Sequence, residues 1–168
     1  MKVTIEQYNA THRQSCIEAF RSNVPLFFTV GEVSDFEEFL DSMEGRIGAA
    51  PNNAVYFVAL HGEEVIGCGG FGHRDGEQVI SLAWGLVHND HHKRGIGKQL
   101  LVYRIEKIKE MHPGLPLVLD TTQHSFHFFE QLGFRTTKVT DDFYAVGMHR
   151  YDMVLSDSDI AYILNPMP

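Results

Sequence analysis

The chain has 168 residues, 43% of them apolar and 21% charged, with a formal net charge of −8. That length suits one domain with its own core, and the acidic balance excludes the basic stripe that a nucleic-acid surface needs. No apolar run is long enough to span a bilayer, and the start MKVTIEQYN has no apolar signal region.

Cys16 and Cys68 lack CxxC spacing and read as buried thiols of a cytoplasmic protein. VTIEQYN alternates as a short strand, and Thr11 is placed to cap a helix over HRQSCIEAFRSN that Pro25 ends. PLFFTVGE follows as a loop rich in large apolar groups. Ser34 is the expected cap of a second helix, DFEEFLDSMEGR. Its Phe36, Phe39, Leu40 and Met43 share one face, while Asp35, Glu37, Glu38, Asp41 and Glu44 occupy the other.

From Ala54 the period shortens. AVYFVAL and VIGCGGFG read as strands joined by the turn His61-Gly62-Glu63-Glu64, and Arg74-Asp75-Gly76 turns the chain into VISLAWGLV. A loop and a helix follow, the latter ending near Met111 at His112-Pro113-Gly114. LPLVLD is an apolar strand covered on both faces, HSFHFFEQL a helix stopped by Gly133, and FRTTKV and HRYDMVL the last strands. The order β-α-α-β-β-β-α-β-α-β-β predicts mixed α/β architecture: an antiparallel meander feeding a parallel β-α-β unit, with helices on both faces. Residues 1–155 form the expected domain. The tail 156–168 is expected to be peripheral or to pack on a partner subunit, which is compatible with a homodimer.

The most informative stretch is HHKRGIGKQLL, His91 to Leu101. A Walker loop fails, because His92 stands at its first glycine and Gln99 at its metal-binding hydroxyl. A dinucleotide fingerprint fails too: Leu100 replaces the third glycine, and a loop separates strand from turn. What remains is a helix start with free backbone N–H groups, opened by Gly95 and Gly97 and surrounded by Lys93, Arg94 and Lys98. Such a start suits a diphosphate, the alternative being a plain helix start with a glycine-rich entry.

Two linked stretches then resemble the GNAT (Gcn5-related N-acetyltransferase) superfamily. LAWGLVHNDHHKRGIGKQLL is similar to its [RQ]xxGx[GA] motif after a strand, and LVLDTTQHSFHFFEQLGF to its second motif, which ends in an aromatic-Glu-x-x-Gly-Phe signature. The resemblance covers nearly all of residues 1–155. His92 departs from it, standing where the family has Arg or Gln.

The resemblance implies acetyl-CoA as cosubstrate, bound between splayed parallel strands, SLAWGLV and LPLVLD. Leu86, Val87, His92, Lys93, Arg94, Gly95, Ile96, Gly97 and Lys98 on the first motif, with Thr122 and Phe129 on the second, would contact it. A backbone N–H, that of Leu86 or its neighbour Val87, would serve as oxyanion donor. The acceptor would be a small-molecule primary amine attacking directly, with no covalent enzyme intermediate. Protein or peptide N-acetylation, and a CoA-binding sensor of weak activity, are the alternatives.

Where several family members carry a catalytic glutamate, this chain has Ser81, which leaves Asp120, His124 and His88 as candidate bases. Phe129 stands where many members have a thiolate-protonating tyrosine, and Tyr144, expected in the last hairpin loop, is the one tyrosine weighed in its stead. Glu32, Glu37, Glu38 and Asp41 would steer a cationic acceptor, with Phe27 and Phe28 against its alkyl part. His88, His91 and His92 read as solvated loop histidines; no metal set is completed around them.

Overall fold

A computed structural model describes residues 1–48, 50–74 and 78–165. In chain order they form β1 (Thr4–Gln7), α1 (Arg13–Arg21), α2 (Glu32–Met43), β2 (Val55–His61), β3 (Glu64–His73) and β4 (Ile80–Val87). There follow α3 (Ile96–Met111), β5 (Leu117–Thr121), α4 (Phe126–Glu130), β6 (Arg135–Ala145), β7 (Met148–Leu155) and α5 (Asp157–Leu164). Asp75 and Gly76, expected to turn the chain into β4, lie outside the described residues.

The architecture is mixed α/β. Seven strands make one sheet in the order β1-β2-β3-β4-β5-β7-β6, and every neighbouring pair is antiparallel except β4–β5. On one face α1 and α2 bury Phe20, Phe36, Phe39 and Leu40 against Tyr56, Val58, Cys68 and Leu86. Phe20 stacks between Phe36 and Phe28, with ring centroids 4.7 and 4.4 Å away. On the other face α3 sets Leu100, Leu101, Ile105 and Ile108 against Phe57, Phe71, Ile80, Leu117 and Leu119. Each such side chain removed from water contributes about 1.5–3 kcal/mol, so these two layers hold the sheet.

Both expected helix caps belong elsewhere. Asn9 accepts from Thr11 N–H and His12 from Asn9 N–H, a reciprocal cap on a short 3-10 turn that leads into α1. Thr11 is thus the capped residue. Helix α2 starts from a Thr29–Glu32 box: Glu32 N–H donates to the Thr29 hydroxyl, and Thr29 N–H to the Glu32 carboxylate at 3.0 Å. Ser34 only donates to the Gly31 carbonyl. The segment after β7 forms α5, capped by Ser156 and seated on α3 with Ile160 buried.

Candidate active site

β4 and β5 begin as neighbours and then part. Their ladder is confined to Ile80 opposite Leu117 and Ser81 opposite Val118. Beyond Ser81, the edge of β4 facing β5 therefore carries backbone groups with no strand partner. The divergence has a local cause. Trp84 adopts φ 44°, and the β3–β4 register shifts between Cys68 and Gly70, which makes a bulge that bends β4. Tyr56 O–H donates to the Trp84 carbonyl at 2.7 Å, and Phe20, Phe36 and Phe39 pack round the indole, so the strained residue is held from several sides.

Ladder alternation tells which groups face the gap. His88 N–H donates to the Ile66 carbonyl at 2.9 Å, so the register makes Leu86/Cys68 a bonded pair and Val87/Gly67 a non-bonded one. Leu86, expected as the oxyanion donor, therefore turns its N–H toward β3. Val87 is turned toward β5, and Gly85 lies in the bulge with no ladder partner on β3. The Val87 carbonyl accepts instead from Asn23 Nδ2 and His92 Nε2, both at 2.9 Å. A carbonyl can only accept, so His92 carries its proton on Nε2 and ties the loop back to the strand.

That tie shapes the turn into α3. Lys93 and Gly95 take left-handed conformations, φ 61° and 78°, and turn the chain into α3. No side chain caps the helix, and its first bond runs from Gln99 N–H to the Gly95 carbonyl. The N–H groups of Ile96, Gly97 and Lys98 thus point out of the helix start without helical partners. Ile96 is buried against Val87, so only its backbone can serve a ligand. Lys93, Arg94 and Lys98 are exposed around it. A Cβ on Gly97 would meet Phe128 at 3.5 Å, ordinary contact that puts α4 beside the cradle.

On the α1–α2 face, where β5 leaves β4, lies a cleft of about 410 Å³ lined by Asn52, His73, Arg74, Ser81, Asp120 and Arg150. Asp120 accepts from the Tyr144 hydroxyl. Arg150 stands 3.7 Å from Asp120, lies 2.8 Å from Asp152 and covers the Phe143 ring. Burial and the Asp120 carboxylate together push the Tyr144 phenol well above its usual pKa, so it keeps its proton and donates it to Asp120. Tyr144 sits within β6, not in the hairpin loop.

Of the three candidate bases, Asp120 alone lines this cleft. His124 sits past β5 with its ring 6.1 Å from Phe27, whose other neighbour is His92 at 5.3 Å. His88 accepts from Asp90 N–H with Nδ1 and sets its ring 5.9 Å from that of His91. Thr122 is buried and accepts from His124 N–H, and Phe129 packs inward on Phe134. Neither side chain opens onto the gap.

On the acidic face of α2, Asp41 pairs with Arg13 at 2.9 Å and Glu37 with Arg21 at 3.3 Å. Glu32 accepts from Thr29 at the helix start, and Phe28 is partly buried against the core. Sequence reasoning missed Gly85, Asn23 and Arg150. A glycine inside an apolar strand is the usual mark of a bulge, and Arg150-x-Asp152 alternates on the face of Asp120; both signals were readable.

The profile of the acetyltransferase (GNAT) domain family matches residues 52–136, just over half of the chain. The chain belongs to the GNAT family, and it is an N-acetyltransferase. No curated protein sequence matches it. Among solved structures, a putative GNAT acetyltransferase from Desulfovibrio desulfuricans superposes with TM-score 0.79 at 19% identity, over 93% of this chain and 99% of that one. An aminoglycoside 6'-N-acetyltransferase complexed with coenzyme A gives 0.71 at 16%, over 98% and 99%. The ribosomal-protein-S18-alanine N-acetyltransferase of Escherichia coli gives 0.72 at 14%, over 92% and 94%. At such identities the likeness speaks for the fold.

Proposed function

We propose that the protein transfers the acetyl group of acetyl-CoA to a small-molecule primary amine by direct attack in a ternary complex. The observation that carries this reading is the gap between β4 and β5, open from Leu82 and continuous with the uncapped start of α3. The residues present fit a CoA ester. Three outward N–H groups and three lysine or arginine side chains suit a diphosphate. The backbone groups of Gly85 and the N–H of Val87 suit an amide-bearing arm that adds like a strand.

Acetyl-CoA, when bound, supplies an acyl group already activated as a thioester. A diphosphate held at Gly95 to Lys98 would leave the acyl end to the β4 segment that carries Gly85. Gly85 N–H is then the donor to the thioester oxygen, in place of Leu86. The acceptor nitrogen attacks the thioester carbon, the C–S bond breaks, and sulfur leaves as thiolate.

An alkylamine must first lose a proton, at a cost of about 4 kcal/mol at neutral pH. Asp120 is the carboxylate that lines the cleft, with Asp152 sharing its neighbour Arg150. It attracts the ammonium form and passes the proton to solvent, to which its side chain is 36% exposed. Tyr144 and Arg150 hold it in place. The test is Asp120→Asn: kcat falls by roughly 10²–10⁴-fold with CoA affinity unchanged. Full kcat in that variant would remove this carboxylate from the chemistry.

A further inference from the structure

Behind the β4 bulge sits a cation that the scheme above has not used. Arg104 projects from α3 into the sheet and is only 4% exposed. Its hydrogen-bond acceptors are carbonyls, Gly70 for Nη1 at 3.3 Å and Leu100 for Nε at 3.4 Å. No Asp or Glu contributes to its charge environment among the described residues; the groups that do are Tyr56 and Cys68. A buried guanidinium balanced by dipoles alone is costly, and core helices replace it with Leu or Met at little loss.

The sheet nevertheless makes room for it. A Cβ on Gly69 would stand 2.9 Å from Nη1, and one on Gly85 3.0 Å from both Nη1 and Nη2. Both glycines thus leave the space that the guanidinium occupies, and a side chain at either would press on it. Burial pushes the group down to about 10, which still leaves it charged at neutral pH.

We propose that Arg104 acts on acetyl transfer through the Gly85 backbone, its positive charge stabilising the negative charge that gathers on the thioester oxygen and then on sulfur. This rests on the acetyl-transfer reading. As the nitrogen lone pair forms the N–C bond, the carbonyl electron pair moves to oxygen. When that pair returns, the C–S bond breaks, sulfur takes its electrons as CoA thiolate, and the nitrogen proton leaves by way of Asp120. Negative charge therefore appears at oxygen, against Gly85 N–H, and next at the adjoining sulfur. With no side chain on Gly85, only main chain separates the guanidinium from the gap. A fixed charge in such a dry setting acts much more strongly than the same charge in water. The same cation also compensates for Phe129, which has no proton to give the leaving sulfur.

The experiment uses the full chain with Arg104→Met and Arg104→Lys. In Arg104→Met, kcat falls by about 10- to 100-fold while the acetyl-CoA KM and the calorimetric CoA affinity stay within about threefold; Arg104→Lys recovers kcat to within about fivefold of wild type. A second readout follows charge and not packing: thiolate absorbance of bound CoA against pH. In wild type the bound thiol ionises at lower pH than free CoA, and Arg104→Met reverses this by about one pH unit or more.

A folded Arg104→Met variant with wild-type kcat overturns the proposal. So does a wild-type complex whose thiol ionises no lower than free CoA, whether or not the Met variant folds. Wild-type protein without acetyl-CoA turnover refutes the acetyl-transfer reading and this proposal with it, whereas wild-type turnover with an unaffected Met variant refutes this proposal alone.

Discussion

Gly97→Asp should separate ligand binding from folding by driving the two in opposite directions. Gly97 lies in the first turn of α3, and its Cβ would meet Phe128 at 3.5 Å and Val87 at 3.8 Å, so the side chain fits without displacing the main chain. Replacing a helical glycine by aspartate gains only about 0.3 kcal/mol in propensity, and an acid in the first turn adds about 0.3–1 kcal/mol by complementing the dipole. The variant should therefore melt a few degrees above wild type.

The same carboxylate stands among the N–H groups assigned to the diphosphate. At about 5 Å and an effective dielectric of about 20, each unit of diphosphate charge is opposed by about 3 kcal/mol, and solvent screening at this half-buried position removes about half. Two units weaken CoA by roughly a hundredfold. Calorimetry with CoA and a thermal melt on the same sample read both quantities. Unchanged CoA affinity in a folded Gly97→Asp protein would refute the cradle.

Two further outcomes follow from the geometry. Tyr144→Phe deletes the hydroxyl on Asp120 but no proton donor to sulfur, so kcat stays within a few-fold of wild type in steady-state assays; a loss of about a hundredfold or more, typical of a true general acid, would show that Tyr144 is one. The Glu44 carboxyl is pushed up by burial, but the Tyr8 hydroxyl and Arg13 outweigh this and hold it below its ordinary value of 4.5. A depressed folded pKa stabilises above the unfolded value and loses that contribution as pH falls through the folded one. Acid melts of wild type should thus drop more steeply below about pH 4.5 than those of Glu44→Gln, and parallel curves would contradict it.

How legible the molecule was depended on the range of the interaction concerned. The glycine pair before α3 and the apolar periods of α2, β4 and β5 are local signals, and they placed the start of α3 and the element order. Caps were misplaced by two to five residues because several hydroxyl and amide side chains compete near each helix start. Asn9 and Thr29 won through reciprocal bonds with His12 and Glu32 that composition does not rank. Of the two backbone donors expected from the sequence, Leu86 turns its N–H toward β3 and Val87 toward the gap, because a one-residue step reverses which strand a backbone group faces. The acids of α2 looked like a steering face, because nothing local says that Arg13 and Arg21 of α1 will neutralise two of them. The tail looked peripheral because only the packed sheet shows that α3 leaves an apolar seat for Ile160.

The central claim is tested most directly by following CoA thiol release from acetyl-CoA across a panel of cationic, neutral and anionic amines with the wild-type protein. The account predicts release that requires both protein and amine, is fastest with cationic primary amines, and yields the N-acetylated product by mass. CoA binding without amine-dependent release from any member of the panel would contradict it and leave a CoA-binding protein that does not catalyse transfer.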